Sequence, residues 1–321
     1  MIVVALFRGQ EGFAFWHRVN PWYFLGAVVL MVTAWCTRAV RTHFLVSALG
    51  RRIPVVRLLE FYVATAFAAH VTPFSAGGIP LYFYLMRREG LSVAKATALT
   101  VLENMLSALV PVLLIPLLIL AWRFGLPARP SFRETSVWIA AIVLPLGWLG
   151  YVFVRRPHTV TGFITRTSRS GLLKKVFGSE RLERWGARAA REYILMRQAL
   201  ALVFYRRRMA LVWGFFLTVW YWFVFLFVSI MLLWGMGLHV NLVLALGAQV
   251  LFYLLEPLIP TPGGSGGAEL AFAYLFGNMV PAAAVAPFVT MWRFITFYLS
   301  LAVGGFSFAR LVGEPPRPRR A

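Results

Sequence analysis

The sequence predicts an all-α polytopic membrane protein, an inverted-topology repeat with two re-entrant helical hairpins and about seven long or membrane-crossing helices. Three observations predict it. The 321 residues are 60% hydrophobic and only 13% charged, with a mean hydropathy of +0.74, which no soluble domain of this length shows. Two apolar stretches are interrupted at mid-length by nearly the same Thr-Pro and Gly-Gly motif. Positive charge gathers in clusters between apolar runs, the pattern that marks cytoplasmic loops.

Runs long enough to cross ~30 Å of hydrocarbon, roughly 20 helical residues, occupy 21–37, 93–122, 136–154, 209–235 and 282–309. The residues before the first run include Arg8, Glu11, His17 and Arg18, and no small-residue cleavage site follows it, so a cleavable signal is not expected. Residues 58–86 are broken by Thr72-Pro73-Phe74-Ser75-Ala76-Gly77-Gly78, and 240–280 by Thr261-Pro262-Gly263-Gly264-Ser265-Gly266-Gly267. Leu58 to Val71 is 14 residues, about 21 Å of helix, and Ile79 to Gly90 is shorter still. Neither crosses, and irregular backbone at membrane depth must be buried in protein or line a wet cavity. Basic clusters at Arg38 to Arg57, at Arg87, Arg88 and Lys95, at 155–208 (14 basic against 3 acidic residues), and at Arg310 to Arg320 are expected inside. Stretches 235–241 and 277–281 lack Lys and Arg and are expected outside. The threading that satisfies these constraints sends the two hairpins into the membrane from opposite faces. The chain is read as one membrane domain over 1–321 in the inner membrane, with its basic loops and C-terminus cytoplasmic. Repeat one covers about 21–122, a linker helix 136–154, a cytoplasmic amphipathic segment 155–208, and repeat two about 209–310.

A gapless shift of 189 residues lays Thr72-Pro73 on Thr261-Pro262 and Gly77-Gly78 on Gly266-Gly267, with Leu81, Phe83 and Ala94 on Leu270, Phe272 and Ala283. Each unit reads helix, interrupted hairpin, long helix. Units of opposite orientation place a substrate site at mid-membrane between them. The competing reading, two long helices kinked by Gly and Pro, leaves the shared motif unexplained.

Two long helices each carry a charge near mid-membrane, where charges are costly and face a partner or a pathway. Glu103 and Arg293 are expected to meet there, as a structural ion pair or as substrate ligands. Each tip precedes a short helix whose free N–H groups favour an anion; the substrate-binding set is therefore read as Thr72, Pro73, Ser75, Gly77, Gly78, Thr261, Pro262, Gly263, Gly264, Ser265, Gly266 and Gly267 with Glu103, Glu269 and Arg293. Glu269 either caps its helix or offers a carboxylate to a cationic headgroup. His70 and Glu256 are weaker candidates, and a lone His on an apolar helix is more often a packing residue.

Composition excludes several chemistries. The chain has 29 Arg, 3 Lys, 11 Glu and no Asp, so Asp-based metal sites, phospho-aspartate pumps and Ser-His-Asp triads are out. One cysteine, Cys36, precludes a disulfide framework or a Cys-rich metal site. No Walker-type phosphate loop occurs, and no catalytic constellation, metal cluster or cofactor is expected. The Arg excess reports topology before nucleic acid, and nucleic-acid binding is not expected. From Ser179 to Tyr205, Leu182, Trp185, Ala189, Tyr193, Met196 and Leu200 recur at three and four while Arg181, Arg184, Arg188 and Arg191 line another face. The segment reads as an amphipathic helix on the inner interface, drawn to anionic lipid, or as a solvated basic face that only fixes topology.

The tip motif Thr72–Gly78 followed by Arg87-Arg88-Glu89-Gly90-Leu91-Ser92, and Pro260–Glu269 followed by Arg293, resemble the lysylphosphatidylglycerol synthase transmembrane family, the flippase-like domain of multiple peptide resistance factors and their stand-alone relatives. The resemblance spans roughly 21–310. It implies paired re-entrant segments that move modified phospholipids or polyprenyl-linked glycans across the bilayer. The sequence to Ala321 leaves no room for the aminoacyl-tRNA-dependent synthase domain of the bifunctional members, so lysylation of lipid is not expected.

The leading expectation is a non-enzymatic translocase of an anionic or modified lipid, with membrane lipids, anionic or glycan-linked, as partners and an oligomer or a lipid-modifying enzyme as a further partner. The alternatives are an intramembrane transferase or hydrolase using His70 and Glu103 as base and acid, and a small-solute secondary transporter of the same architecture.

Overall fold

The computed structural model describes residues 19–116, 119–120, 156–168, 179–256 and 259–314. The described residues are mostly helical, with no strand among them. Four helices are long and apolar enough to cross a membrane: Pro21–Ala48, Val93–Leu113, Arg208–Gly235 and Ala282–Gly313. The expected linker helix at 136–154 lies outside the described residues.

α1 (Pro21–Ala48) starts at Asn20, whose side-chain oxygen accepts the Trp22 amide at 3.0 Å, with Pro21 in the first turn. It does not stop near residue 37 but runs to Ala48, because its apolar face resumes with the buried Leu45 and Val46. Arg38 and Arg41 therefore belong to the helix body. Assigning the whole Arg38 to Arg57 cluster to a cytoplasmic loop is thus corrected.

The first interrupted segment is a helix pair that packs on itself, α2 (Val55–His70) and α3 (Gly78–Arg88), joined through a 3-10 turn at Pro73–Ser75. α4 (Val93–Leu113) follows, capped by Ser92. Beyond α5 (Pro157–Ser168) lies α6 (Ser179–Ala201), which packs on α4 and ends in a π turn at Leu202–Arg206. Only its C-terminal half buries the anticipated stripe: Tyr193, Met196 and Leu200 are buried, whereas Trp185 and Ala189 are exposed.

α7 (Arg208–Gly235) packs along α1. The second interrupted segment is α8 (Leu242–Leu255), capped by Asn241, a 3-10 turn at Pro262–Gly264, and α9 (Gly267–Phe276). The last span is α10 (Ala282–Arg293), a π turn at Phe294–Tyr298, and α11 (Leu299–Gly313).

Two apolar cores result. One gathers α7 to α10 with the N-terminal half of α1, including Met31 and Trp35; the other gathers α2, α3, α4 and α6 with the C-terminal half of α1, including Leu45 and Val46. α11 lies on α2 so closely that a Cβ at Gly304 would stand 2.2 Å from the Val63 carbonyl oxygen, the small-residue contact that lets membrane helices approach without a hydrophobic drive between them.

Candidate functional site

Both tips begin with an extended threonine and a proline that opens a single 3-10 turn. In tip one the Thr72 hydroxyl donates to the Ala68 carbonyl at 2.8 Å and accepts the Gly77 amide at 2.8 Å. In tip two the Thr261 hydroxyl donates to the Ser265 carbonyl at 2.9 Å. Two consecutive residues then turn left-handed in each. Phe74 (φ 53, ψ 22) corresponds to Gly263 (φ 57, ψ 19), and Ser75 (φ 55) to Gly264 (φ 68), so the 189-residue shift that aligns the sequences also aligns this backbone. The tips diverge afterwards: Gly77 is right-handed at φ −75, whereas Gly266 sits at φ 85.

The tips touch each other. A Cβ on Gly263 would lie 3.1 Å from the His70 carbonyl oxygen and 2.1 Å from the Phe297 ring. The His70 ring meets that of Phe297 edge-on at 4.8 Å. Phe297 belongs to the π turn of the last span; such wide turns rotate the residues beyond them and recur at functional sites.

Arg293 and Glu103 do not meet. Arg293 donates through Nε to Glu269 Oε1 at 2.8 Å and through Nη2 to the Gly263 carbonyl at 2.9 Å, and Glu269 Oε2 accepts the Gly266 amide at 2.7 Å. This buried relay ties the last span to tip two, with Glu269 capping its own helix. Glu103 is held in the other unit, accepting the Thr42 hydroxyl and lying 3.8 Å from Arg41. Arg41 is 1% exposed and also donates to Ser107 at 3.0 Å and Thr218 at 3.1 Å. The expected partnership failed because two charges at equal depth need not share an azimuth.

A cavity of about 540 Å³ opens among α1, α2, α3, α4, α7, α8 and the last span. Of the residues singled out from sequence, His70, Ser75, Gly78, Glu103, Glu256 and Arg293 line it. Thr72, Pro73, Gly77, Thr261, Pro262, Gly263, Gly264, Ser265, Gly266, Gly267 and Glu269 build the turns and their anchors behind that lining. The Glu256 carboxylate has no ion pair among the described residues. Sequence reading missed Arg38, Tyr62, Tyr82, Tyr221 and Asn104, all on the cavity wall. Arg38 lies 4.7 Å from the ring centre of Tyr62 and 5.4 Å from that of Tyr221. The available signal was the apolar run that resumes after Arg41, which makes both arginines intrahelical.

At the base of the first hairpin sits a second charge cluster. Arg57 contacts Glu60 at 3.1 Å, Glu89 at 3.2 Å and Glu314 at 2.5 Å, and Arg88 donates to the carbonyls of Leu311 at 2.6 Å and Glu314 at 2.5 Å. It fastens α2 and α3 to the end of α11. Among the described residues no group of three or more His, Cys or Glu side chains gathers to hold a metal.

A UPF0104 membrane protein of Archaeoglobus fulgidus is 23% identical over 309 residues, covering 95% of this chain and 92% of that protein. Residues 1–304 match the family described as lysylphosphatidylglycerol synthase TM region. With four apolar spans, paired interrupted hairpins and a match over nearly its full length, the chain belongs to the lysylphosphatidylglycerol synthase transmembrane family.

Proposed function

We propose that the protein is a non-enzymatic lipid translocase of the inner membrane. The headgroup of an anionic or modified lipid enters the cavity between two units of opposite orientation while the acyl chains stay in the bilayer, and the units rock about it. The observation that carries the reading is the cavity: about 540 Å³ lined by Arg38, Arg293, Glu103 and Glu256 between apolar helices, within the ~300–1,000 Å³ of small-ligand sites. A lipid suits it better than a small solute because two of its lining residues, Phe74 and Ile79, are 65% and 61% exposed. Apolar surface thus leads from the outside of the molecule into a charged interior beside tip one. In this reading the basic loops and C-terminus are cytoplasmic, and without a Walker-type motif movement is downhill, ion-coupled or driven by a partner.

The test is reconstitution into liposomes carrying headgroup-labelled anionic, zwitterionic, aminoacylated or glycan-linked lipids. Protein-dependent exposure of inner-leaflet label to an external quencher is expected for at least one class. No movement above protein-free vesicles for any class refutes the reading. A lipid-phosphate transferase or hydrolase is the second reading, because His70 and Glu103 line the same cavity; lipid turnover by purified protein, lost in His70→Ala, is the result that favours it.

A further inference from the structure

We propose that the anion site of this cavity is Arg38 between Tyr62 and Tyr221, and that its ligand is a phosphodiester headgroup, an assignment that rests on the translocase reading. The buried Arg41, Arg57 and Arg293 and the half-buried Arg38 separate by what they hold. Arg293 is engaged by the Glu269 carboxylate at 2.8 Å and the Gly263 carbonyl at 2.9 Å. Arg41 faces Ser107, Thr218 and Glu103 and is not on the cavity wall. Arg57 holds three carboxylates. Arg38 lines the cavity and has no carboxylate at ion-pairing distance among the described residues.

Its partners are two aromatic rings, at 4.7 and 5.4 Å. Ring faces attract a cation but bring no counter-charge. Arg38 and Arg41 are one turn apart on α1, and the neighbouring carboxylate, Glu103, is engaged by Arg41 at 3.8 Å and by the Thr42 hydroxyl, so among the described residues no carboxylate pairs Arg38 directly. Arg38 stands ten residues from the Ala48 end of α1, ~15 Å by helical rise, a depth at which such a charge is costly and marks a substrate pathway. A spare donor stands on the same wall: the buried indole Nε1 of Trp222, next in chain to Tyr221, has no hydrogen-bond partner among the described residues.

A singly charged anion with two equivalent oxygens fits this set. The guanidinium fork takes both non-bridging oxygens of a phosphodiester, and the two phenols and the indole are further donors. Arg293 instead shapes the tip.

Isothermal titration of the full-length protein in detergent, with dihexanoyl-phosphatidylglycerol and separately with inorganic phosphate, tests the site. The lipid is expected to bind, at least tenfold more weakly in Arg38→Gln, with an intermediate loss in Arg38→Lys, which keeps the charge and loses the fork. The Tyr62→Phe/Tyr221→Phe double variant, which keeps the rings and loses the hydroxyls, is expected to lose several-fold. If Arg38→Gln does not fold, the lysine and double variants decide alone. No lipid binding by the unaltered protein, or binding by folded variants within twofold of it, overturns the site. Inorganic phosphate binding as tightly as the lipid overturns the headgroup assignment in favour of a soluble anion. The two proposals fail separately: Arg38-dependent binding without transbilayer movement refutes the translocase and leaves the site, whereas movement unchanged in Arg38→Gln does the reverse.

Discussion

Gly263→Ala and Phe74→Gly test whether the two tips share one backbone, because they perturb equivalent positions in opposite senses. Gly263 is left-handed at φ 57, and a methyl group there would lie 2.1 Å from the Phe297 ring and 3.1 Å from the His70 carbonyl oxygen. The ring has little room to yield. It is 9% exposed, packed on the His70 ring at 4.8 Å and on the Arg293 guanidinium at 4.8 Å. The left-handed backbone costs an alanine ~1–2 kcal/mol, and forcing a methylene-sized group into a filled contact adds ~1–3 kcal/mol. Loss of glycine's freedom in the unfolded chain returns ~0.4–1 kcal/mol. The net expectation for Gly263→Ala is about 1–5 kcal/mol of destabilisation. Phe74 bears the same left-handed cost at φ 53 but is 65% exposed, so its replacement loses little packing. Phe74→Gly is therefore expected to change stability by about 0 to 1 kcal/mol in the stabilising direction. Thermal unfolding in one detergent, followed by intrinsic tryptophan fluorescence, compares the three proteins. A lowered Tm for Gly263→Ala with an equal or raised Tm for Phe74→Gly is the expected pair. An unchanged Gly263→Ala, or a Phe74→Gly as damaging as it, refutes the shared tip geometry.

Three other outcomes are open to measurement. Arg293→Gln leaves Glu269, 7% exposed, without its cation and is expected to cost ~3–5 kcal/mol; the Arg293→Met/Glu269→Gln double variant should recover part of that in the same unfolding assay, and a strictly additive double variant contradicts the pairing. Thr72→Val keeps the shape of the side chain but removes the acceptor of the Gly77 amide, so exchange of that amide measured by hydrogen–deuterium mass spectrometry should quicken roughly tenfold for ~1–2 kcal/mol. Arg57→Gln deprives Glu60, Glu89 and Glu314 of their shared partner; faster exchange is expected at the end of α11 and in α3, with α7 unchanged, and no difference at α11 argues that the cluster does not fasten it.

The interrupted segments were legible because Thr-Pro and Gly-Gly within apolar runs change the backbone wherever they fall. The 189-residue shift carried more than composition: it lands Phe74 on Gly263, whose φ and ψ differ by only a few degrees. Phe at that position hides the requirement, since sequence advertises left-handed backbone only through glycine or asparagine. Arg38 and Arg41 were misread because an arginine at the edge of an apolar run is ordinarily a topology signal. Their membership of α1 depends on Leu45 and Val46 burying beyond them, a tertiary fact. The partners of Glu103 and Arg293 depend on rotation about helix axes, which depth along a sequence does not constrain. The salt-bridge cluster at the hairpin base joins residues as far apart as Arg57 and Glu314, a closure that only the packed α2 and α11 define.

The contact of Gly263 with His70 and Phe297, with Arg293 holding the same Gly263, has a mechanical consequence. Tip two cannot be displaced while tip one and the last span stay put, because one glycine is wedged against one and tethered to the other. The two tips and the middle of the last span therefore behave as a single moving part. In the translocase reading proposed above, opening the cavity requires either carrying that part as a block or first breaking the Arg293 tether.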